Sequence, residues 1–223
     1  MKYFIVLFMM IAGVSTVLGG TMSEQKPQTL LAMSGFKLEA TSLKDSVLVI
    51  IDAQREYVDG KLPLDGIDAS IKEAAQLLER ARKAGTPVIH VVHKGKPGGA
   101  LFNPDGPYFE IVSALAPKPD ETIIKKALPN AFANTNLEET LARIGRKKLI
   151  VIGYMTHMCV SSTVRAATDR GYRATIVAKA TATRDLPAPD GGVVTASAVQ
   201  GASLAALADR FAAVVQSAGD IPE

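Results

Sequence analysis

Residues 149–173, LIVIGYMTHMCVSSTVRAATDRGYR, constrain the fold more than any other part of the chain. The run Leu149-Ile150-Val151-Ile152 has no polar alternation, which is the pattern of a strand covered on both faces, and such strands belong to parallel sheets flanked by helices. Gly153 and the segment from Tyr154 to Met158 turn the chain toward Cys159. After it, Val160, Val164 and Ala167 recur at helical spacing until Gly171 stops the helix. A strand end, a turn and a helix start are thus gathered about one thiol. The first amides of a helix lack internal partners and carry the positive end of its dipole, so a thiol placed there is expected to ionise more readily. The same amides suit the oxyanion formed when a carbonyl is attacked. Position alone leaves open a buried structural cysteine.

The rest of the chain repeats the alternation. Residues 46–52, SVLVIID, form an aliphatic run ending in a carboxylate, a central parallel strand with Asp52 at its C-terminal edge, where open α/β sheets bind ligands. A helix is expected over 67–84, with Ile71, Ala74, Ala75, Leu77 and Leu78 on one face, then a strand over 87–93. Residues 94–107, rich in Gly and Pro, are a loop suited to wall a pocket, with Phe102 either facing it or plugging the loop from beneath. A short helix over 108–115, a strand over 121–125 ending in Lys125, and a helix over 132–144 follow. Residues 174–178 make another strand. An alanine-rich helical segment spans 193–217, with Leu204, Leu207, Phe211 and Val215 as its stripe. The fold class expected is α/β, a three-layer α/β/α sandwich with a mostly parallel, Rossmann-like sheet.

The 223 residues, 48% of them hydrophobic and 21% charged, suffice for one core, and no period of 20–50 residues repeats. At the N-terminus Lys2 precedes an uncharged apolar run over 3–18, followed by Gly19, Gly20 and Thr21. This pattern predicts a signal peptide over 1–21, a flexible arm over 22–40 and a single folded domain over 41–223. The protein is then periplasmic or secreted, without stable membrane insertion after cleavage; retention of the run as an anchor is the alternative. A lone cysteine rules out an internal disulfide. A net charge of +3 with no basic block leaves no footprint for nucleic acid. Three histidines raise the question of a metal, but His90 and His93 fall on opposite faces of a strand with no carboxylate in ligand spacing, so neither metal nor cofactor is expected.

Asp52, Lys125 and Cys159 each close a predicted strand, and in a parallel sheet those ends share one rim. There the Asp can take the thiol proton and pass it to a leaving amine, while the ammonium favours thiolate and steadies the anionic pair. The stretches LVIIDAQREY, GTPVIHVVH, IIKKALPNAF, TNLEETL and GYMTHMCVSSTVRAATDRGY resemble, in that order, the isochorismatase-like cysteine hydrolases, a superfamily that includes nicotinamidases and other small-amide hydrolases. IDAQREYVDGKLPL and ATRDLP are most similar to its streptothricin hydrolase-like branch. The resemblance implies Cys159 as nucleophile, Asp52 as general base and acid, and Lys125 as third member. It also implies an oxyanion hole from the amides of Met155 and Cys159, set by a non-proline cis peptide near Tyr154-Met155. Gln54, Tyr57, Phe102, Thr156 and His157 are the candidate substrate contacts.

The implied activity is hydrolysis of a small amide or lactam through a thioester, by an enzyme that forms a homo-oligomer. Isochorismatases proper cleave a vinyl ether and lack this cysteine. The Asp and His metal cluster of nicotinamidases is missing here, and Lys179-Ala180 stands where relatives carry Asp-Ala. Alternatives are an exported small-molecule binding protein on the same fold, an ether hydrolase of isochorismatase type, and a thiol redox sensor, the last disfavoured because no second cysteine could resolve an oxidised one.

Overall fold

The computed structural model describes residues 26–223. The expected signal peptide lies outside the described residues. Six strands make one sheet: β1 (Ser46–Ile51), β2 (Val88–His93), β3 (Thr122–Lys126), β4 (Lys148–Tyr154), β5 (Arg173–Ala182) and, near the C-terminus, a strand over Ala212–Val215. Numbered in chain order this last is β8, because Leu186–Pro187 (β6) and Val193–Val194 (β7) pair into a separate antiparallel ribbon. The sheet runs β3-β2-β1-β4-β5-β8, with every neighbouring pair parallel. The direction of winding reverses between β1 and β4, so the C-terminal ends of these two strands flank the crevice where such sheets bind ligands.

Helices cover both faces, as the continuous apolar strands require. Four carry the layers: α2 (Ile67–Lys83), α3 (Leu137–Ile144), α4 (Ser161–Asp169) and α5 (Ala196–Arg210), while α1 (Leu30–Met33) is a single turn. Alternate β1 residues divide the core. Leu48 and Ile50 pack with Leu77 and Leu78 of α2, whereas Val47, Val49 and Ile51 pack with Leu137, Leu141, Val164 and Leu207 of the opposite layer. The acidic Asp68 in the first turn of α2 and Arg80, Arg82 and Lys83 in its last complement the helix dipole.

Four expectations are corrected. The predicted helix over 193–217 is helical only over Ala196–Arg210, after which the chain becomes the edge strand β8. Val215, read as part of the helical stripe, packs instead with the α2 layer. The helix predicted over 132–144 begins at Leu137; Ala131 and Phe132 are buried in the preceding loop. Residues 108–115 form a bridge between Ile111 and Gln54 and a 3-10 turn over Ser113–Leu115. Within the arm predicted to be flexible, Thr29 caps α1, Leu31 is buried, and the Leu30 amide donates to Asp209 of α5 at 2.8 Å. Among the described residues no helix is long and apolar enough to cross a membrane.

Candidate active site

The carboxylate, the ammonium and the thiol converge at the C-terminal ends of β1, β3 and β4. Asp52 follows β1 with φ of 48°, a left-handed conformation that Asp tolerates better than branched residues do, and its amide donates to the Val91 carbonyl at 2.8 Å. β4 reaches β1 closely here. A Cβ on Gly153, whose φ is 111°, would stand 2.0 Å from the Ile51 carbonyl oxygen, so only glycine fits. The Tyr154-Met155 peptide is cis. A π-helical turn over Thr156–Val160 then carries Cys159 into the start of α4. The Met155 carbonyl accepts from the amides of Met158 and Val160, and the Thr156 hydroxyl donates to the Ala182 carbonyl, fixing the turn to β5.

The lysine that arrives is Lys126, not Lys125. Lys125 is exposed, while the Lys126 side chain is fully buried. Strand β3 runs one residue beyond its predicted end, and a one-residue shift moves each side chain to the opposite face. The Lys126 ammonium stands 2.7 Å from Asp52 Oδ2, 3.2 Å from Cys159 Sγ and 3.1 Å from His93 Nδ1. Donor atoms of Asp52, His93 and Cys159 all lie within 4.8 Å of one another. Such a cluster could hold a metal by its chemistry alone, but the ammonium already bridges all three, which accounts for the cluster without an ion.

Burial raises the Asp52 carboxyl above its ordinary range, although Lys126 and Cys159 pull it down. Burial, reinforced by the Asp52 charge, pushes the Cys159 thiol up to about 12, against the pull of Lys126. This reverses the expectation of a resting thiolate: with Asp52 ionised, the thiol keeps its proton. Both Asp52 oxygens are buried without a well-aligned hydrogen-bond partner among the described residues, so Oδ2 is held by its ion pair with Lys126. His93 is lowered to about 4 by burial and by the Lys126 charge, so its imidazole is neutral at pH 7.

The model for the Isochorismatase domain matches residues 46–219. The chain belongs to the isochorismatase family. Over 186 residues it is 42% identical to the secreted isochorismatase effector Isc1 of Verticillium dahliae, covering 83% of this chain and 95% of that one. A crystal structure of an isochorismatase from Pseudomonas putida superposes with a TM-score of 0.84 at 44% identity, covering 88% of this chain and 100% of that one. The streptothricin hydrolase of Streptomyces noursei is 35% identical over 144 residues, 65% of this chain and 57% of its own. The three-layer fold expected of an isochorismatase-family hydrolase is thus the one observed, and this family's relatives include amide-cleaving enzymes.

The remaining candidate contacts divide. Tyr57 and Phe102 pack edge to face at 5.2 Å, and Phe102 also lies 4.9 Å from the His93 ring, so the loop after β2 does wall the site. Burial, then the charges of Asp52 and Cys159, raises the Tyr57 hydroxyl above its ordinary value. Gln54 is spent on the scaffold: fully buried, its Nε2 donates to the carbonyls of His93 and Phe109 and its Oε1 accepts from the His93 amide, leaving no donor for a substrate. Thr156 is fully buried and committed to Ala182. His157 turns toward β5, bonding Thr183 at 2.6 Å, and touches none of Asp52, Lys126 and Cys159. Lys179 is exposed, lining a cavity of about 520 Å³ between α2 and α5 that none of those three residues lines. Sequence reasoning missed Lys126 and His93. The register His93↔Lys126 across β2 and β3 places them side by side, a signal available only once the strands are paired.

Proposed function

We propose that the protein is an exported, metal-independent cysteine hydrolase that cleaves the C–N bond of a small amide or lactam. The observation that carries the reading is one buried ammonium held between a carboxylate at 2.7 Å and a lone sulfur at 3.2 Å. Sγ attacks the carbonyl carbon as its proton passes to Asp52; the C–O π pair moves to oxygen, which the amides of Met155 and Cys159 receive. The C–N bond breaks as Asp52 returns the proton to nitrogen, leaving a thioester. Water then adds to the thioester, giving its proton to Asp52. The C–S bond breaks, the carboxylic acid leaves, and sulfur recovers the proton. Lys126 neutralises whichever group of the pair is anionic. Tyr57 and Phe102 form the apolar wall of the substrate pocket.

Export is supported by the apolar N-terminal run and by the word "secreted" in the name of the fungal relative. Amide substrates are supported by a relative named a ureidoacrylate amidohydrolase, from Stutzerimonas stutzeri, 29% identical over 177 residues. The exposed apolar side chains Ile123, Leu128 and Met158 support self-association, which sedimentation velocity measures directly. A second reading, ether hydrolysis of isochorismate, is favoured by the name of the fungal relative.

One experiment separates them. The protein is mixed with a panel of amides and lactams or with isochorismate, quenched early and weighed intact. Amide turnover with an acyl increment on Cys159, absent in Cys159→Ala, is the expected result; turnover by the alanine variant refutes the scheme, and isochorismate turnover without an adduct favours the second reading.

A further inference from the structure

We propose that His93 is a positioning residue for this chemistry, its Nδ1 holding one N–H of the Lys126 ammonium so that the other two aim at Asp52 and Cys159. The inference rests on the hydrolase reading above. An ammonium has three donors and no acceptor, and here three acceptors surround it: Asp52 Oδ2 at 2.7 Å, His93 Nδ1 at 3.1 Å and Cys159 Sγ at 3.2 Å. With two partners the amine could rotate or tilt; with three its pose is fixed. A neutral imidazole suits the third place because it accepts without adding an anion that would compete with Asp52 for the charge.

The ring is not needed to hold the strand end. Gln54 clamps the His93 backbone from both sides, accepting from its amide at 2.9 Å and donating to its carbonyl at 3.1 Å. What the ring touches is Lys126 and the tilted ring of Phe102. His90, on the other face of β2, is used differently: it is buried against Glu121 at 2.9 Å and has no link to the site. If Nδ1 accepts, the proton must be on Nε2, which has no protein partner among the described residues; the ring is only partly buried. That leaves the Nε2–H free of any protein acceptor among the described residues.

The charged and titratable groups facing the ring are Lys126 from β3, Asp52 from the end of β1 and Cys159 from the π-helical turn. Protonating the ring would set a second cation 3.1 Å from the ammonium, so the arrangement should fail on the acid side.

The test uses iodoacetamide, which can alkylate only one cysteine in this chain. Rates are followed by intact mass from about pH 3.5 to 9, so that the His93 titration at about 4 is crossed, for wild type, His93→Phe, which keeps a ring without an acceptor, and His93→Asn, which keeps an acceptor. His93→Phe is expected to react about tenfold more slowly at pH 7.5, the size of one charged hydrogen bond lost, with His93→Asn recovering most of it. Equal rates and pH profiles for folded wild type and His93→Phe overturn the proposal. Should that variant not fold, nitrogen NMR of wild type decides: a neutral ring protonated on Nε2 at pH 7 is expected, and a ring protonated on Nδ1 refutes the contact. A wild-type thiol that reacts like a free cysteine across the whole range instead sinks the hydrolase reading itself.

Discussion

Exchanging Lys126 for Met tests the site more sharply than removing the cysteine, because the adjacent lysine supplies its own control. The Lys126 and Asp52 side chains are both fully buried and 2.7 Å apart. Deleting the ammonium leaves a buried carboxylate with no charge partner, and breaking a buried pair from one side costs about 3–5 kcal/mol. Part of that cost is relieved if Asp52, already raised by burial, takes up a proton, but a protonated Asp52 can no longer receive one from sulfur. Lys126→Met should therefore lose both stability and acylation. Lys125→Met, on the exposed face of the same strand, should stay within about 0.5 kcal/mol of wild type and keep its activity. The double variant Asp52→Asn with Lys126→Met removes both charges and should recover to within about 2 kcal/mol of wild type while remaining inactive. Urea unfolding at pH 7, followed by circular dichroism for wild type, Lys125→Met, Lys126→Met, Asp52→Asn and the double variant, gives the coupling directly. If Lys126→Met unfolds with the same midpoint as Lys125→Met, or if the double variant loses the sum of the single losses, the buried pair is not as described.

Alkylation of wild-type Cys159 should be nearly flat between pH 7 and 9, because its base is internal, whereas an ordinary thiol of pKa about 8.5 gains roughly 25-fold over that span; Asp52→Asn should restore the rise. Gly153→Ala should cost about 3 kcal/mol in urea unfolding, since the new Cβ meets the Ile51 carbonyl at 2.0 Å on a backbone with φ of 111°. By contrast Gly201→Ala, inside α5 with nothing within 4 Å, should raise stability by about 0.5–1 kcal/mol. Glu121 is opposed by its own burial, yet bonds from Arg82, the Lys118 amide and His90 hold it down to about 2. A depressed carboxyl contributes stability that is complete above about pH 4.5 and is lost as pH falls toward 2. Glu121→Gln should abolish most of that acid-side slope, and an unchanged slope in acid denaturation refutes the assignment.

The parts of the site legible in the sequence were those whose strands announce their own ends. β1 and β4 are buried on both faces and stop at Asp52 and at Gly153-Tyr154, so both candidate positions could be placed without knowing which residue faces which layer. β3 gave no such help. It lies at the sheet edge with one face exposed, and its sequence, Ile123-Ile124-Lys125-Lys126, doubles each residue type, so the two-residue alternation that would mark the inward lysine is absent. Only pairing with β2 reveals that Ile124 and Lys126 face inward while Ile123 and Lys125 face out. β8 was hidden differently. Ala212-Ala213-Val214-Val215 continues an alanine-rich helix without a Gly or Pro stop, so helical spacing could be extended through it. Gln54, a candidate substrate contact in the sequence, spends its amide on clamping the neighbouring strand end, which only the paired strands reveal.

A thiol pushed up to about 12 at first argues against a nucleophile, and the charge count resolves it. The cleft buries one ammonium and one carboxylate beside a neutral thiol. Removing a proton to solvent would leave two anions sharing one cation in a site almost closed to water, and that cost is what raises the sulfur. Moving the same proton from Sγ to Asp52 changes nothing in the count: one cation and one anion remain, and the anion merely shifts from an oxygen at 2.7 Å to a sulfur at 3.2 Å from the same Nζ. Burial therefore penalises titration by solvent and leaves the internal transfer nearly unpenalised. A residue that kept the ammonium centred between the two acceptors would keep the two anionic arrangements close in energy, which is the role the geometry offers His93. Under the proposed mechanism the site would need neither a standing thiolate nor a solvent base, only a carboxylate whose burial makes it basic enough to accept what the sulfur gives up as it bonds to carbon.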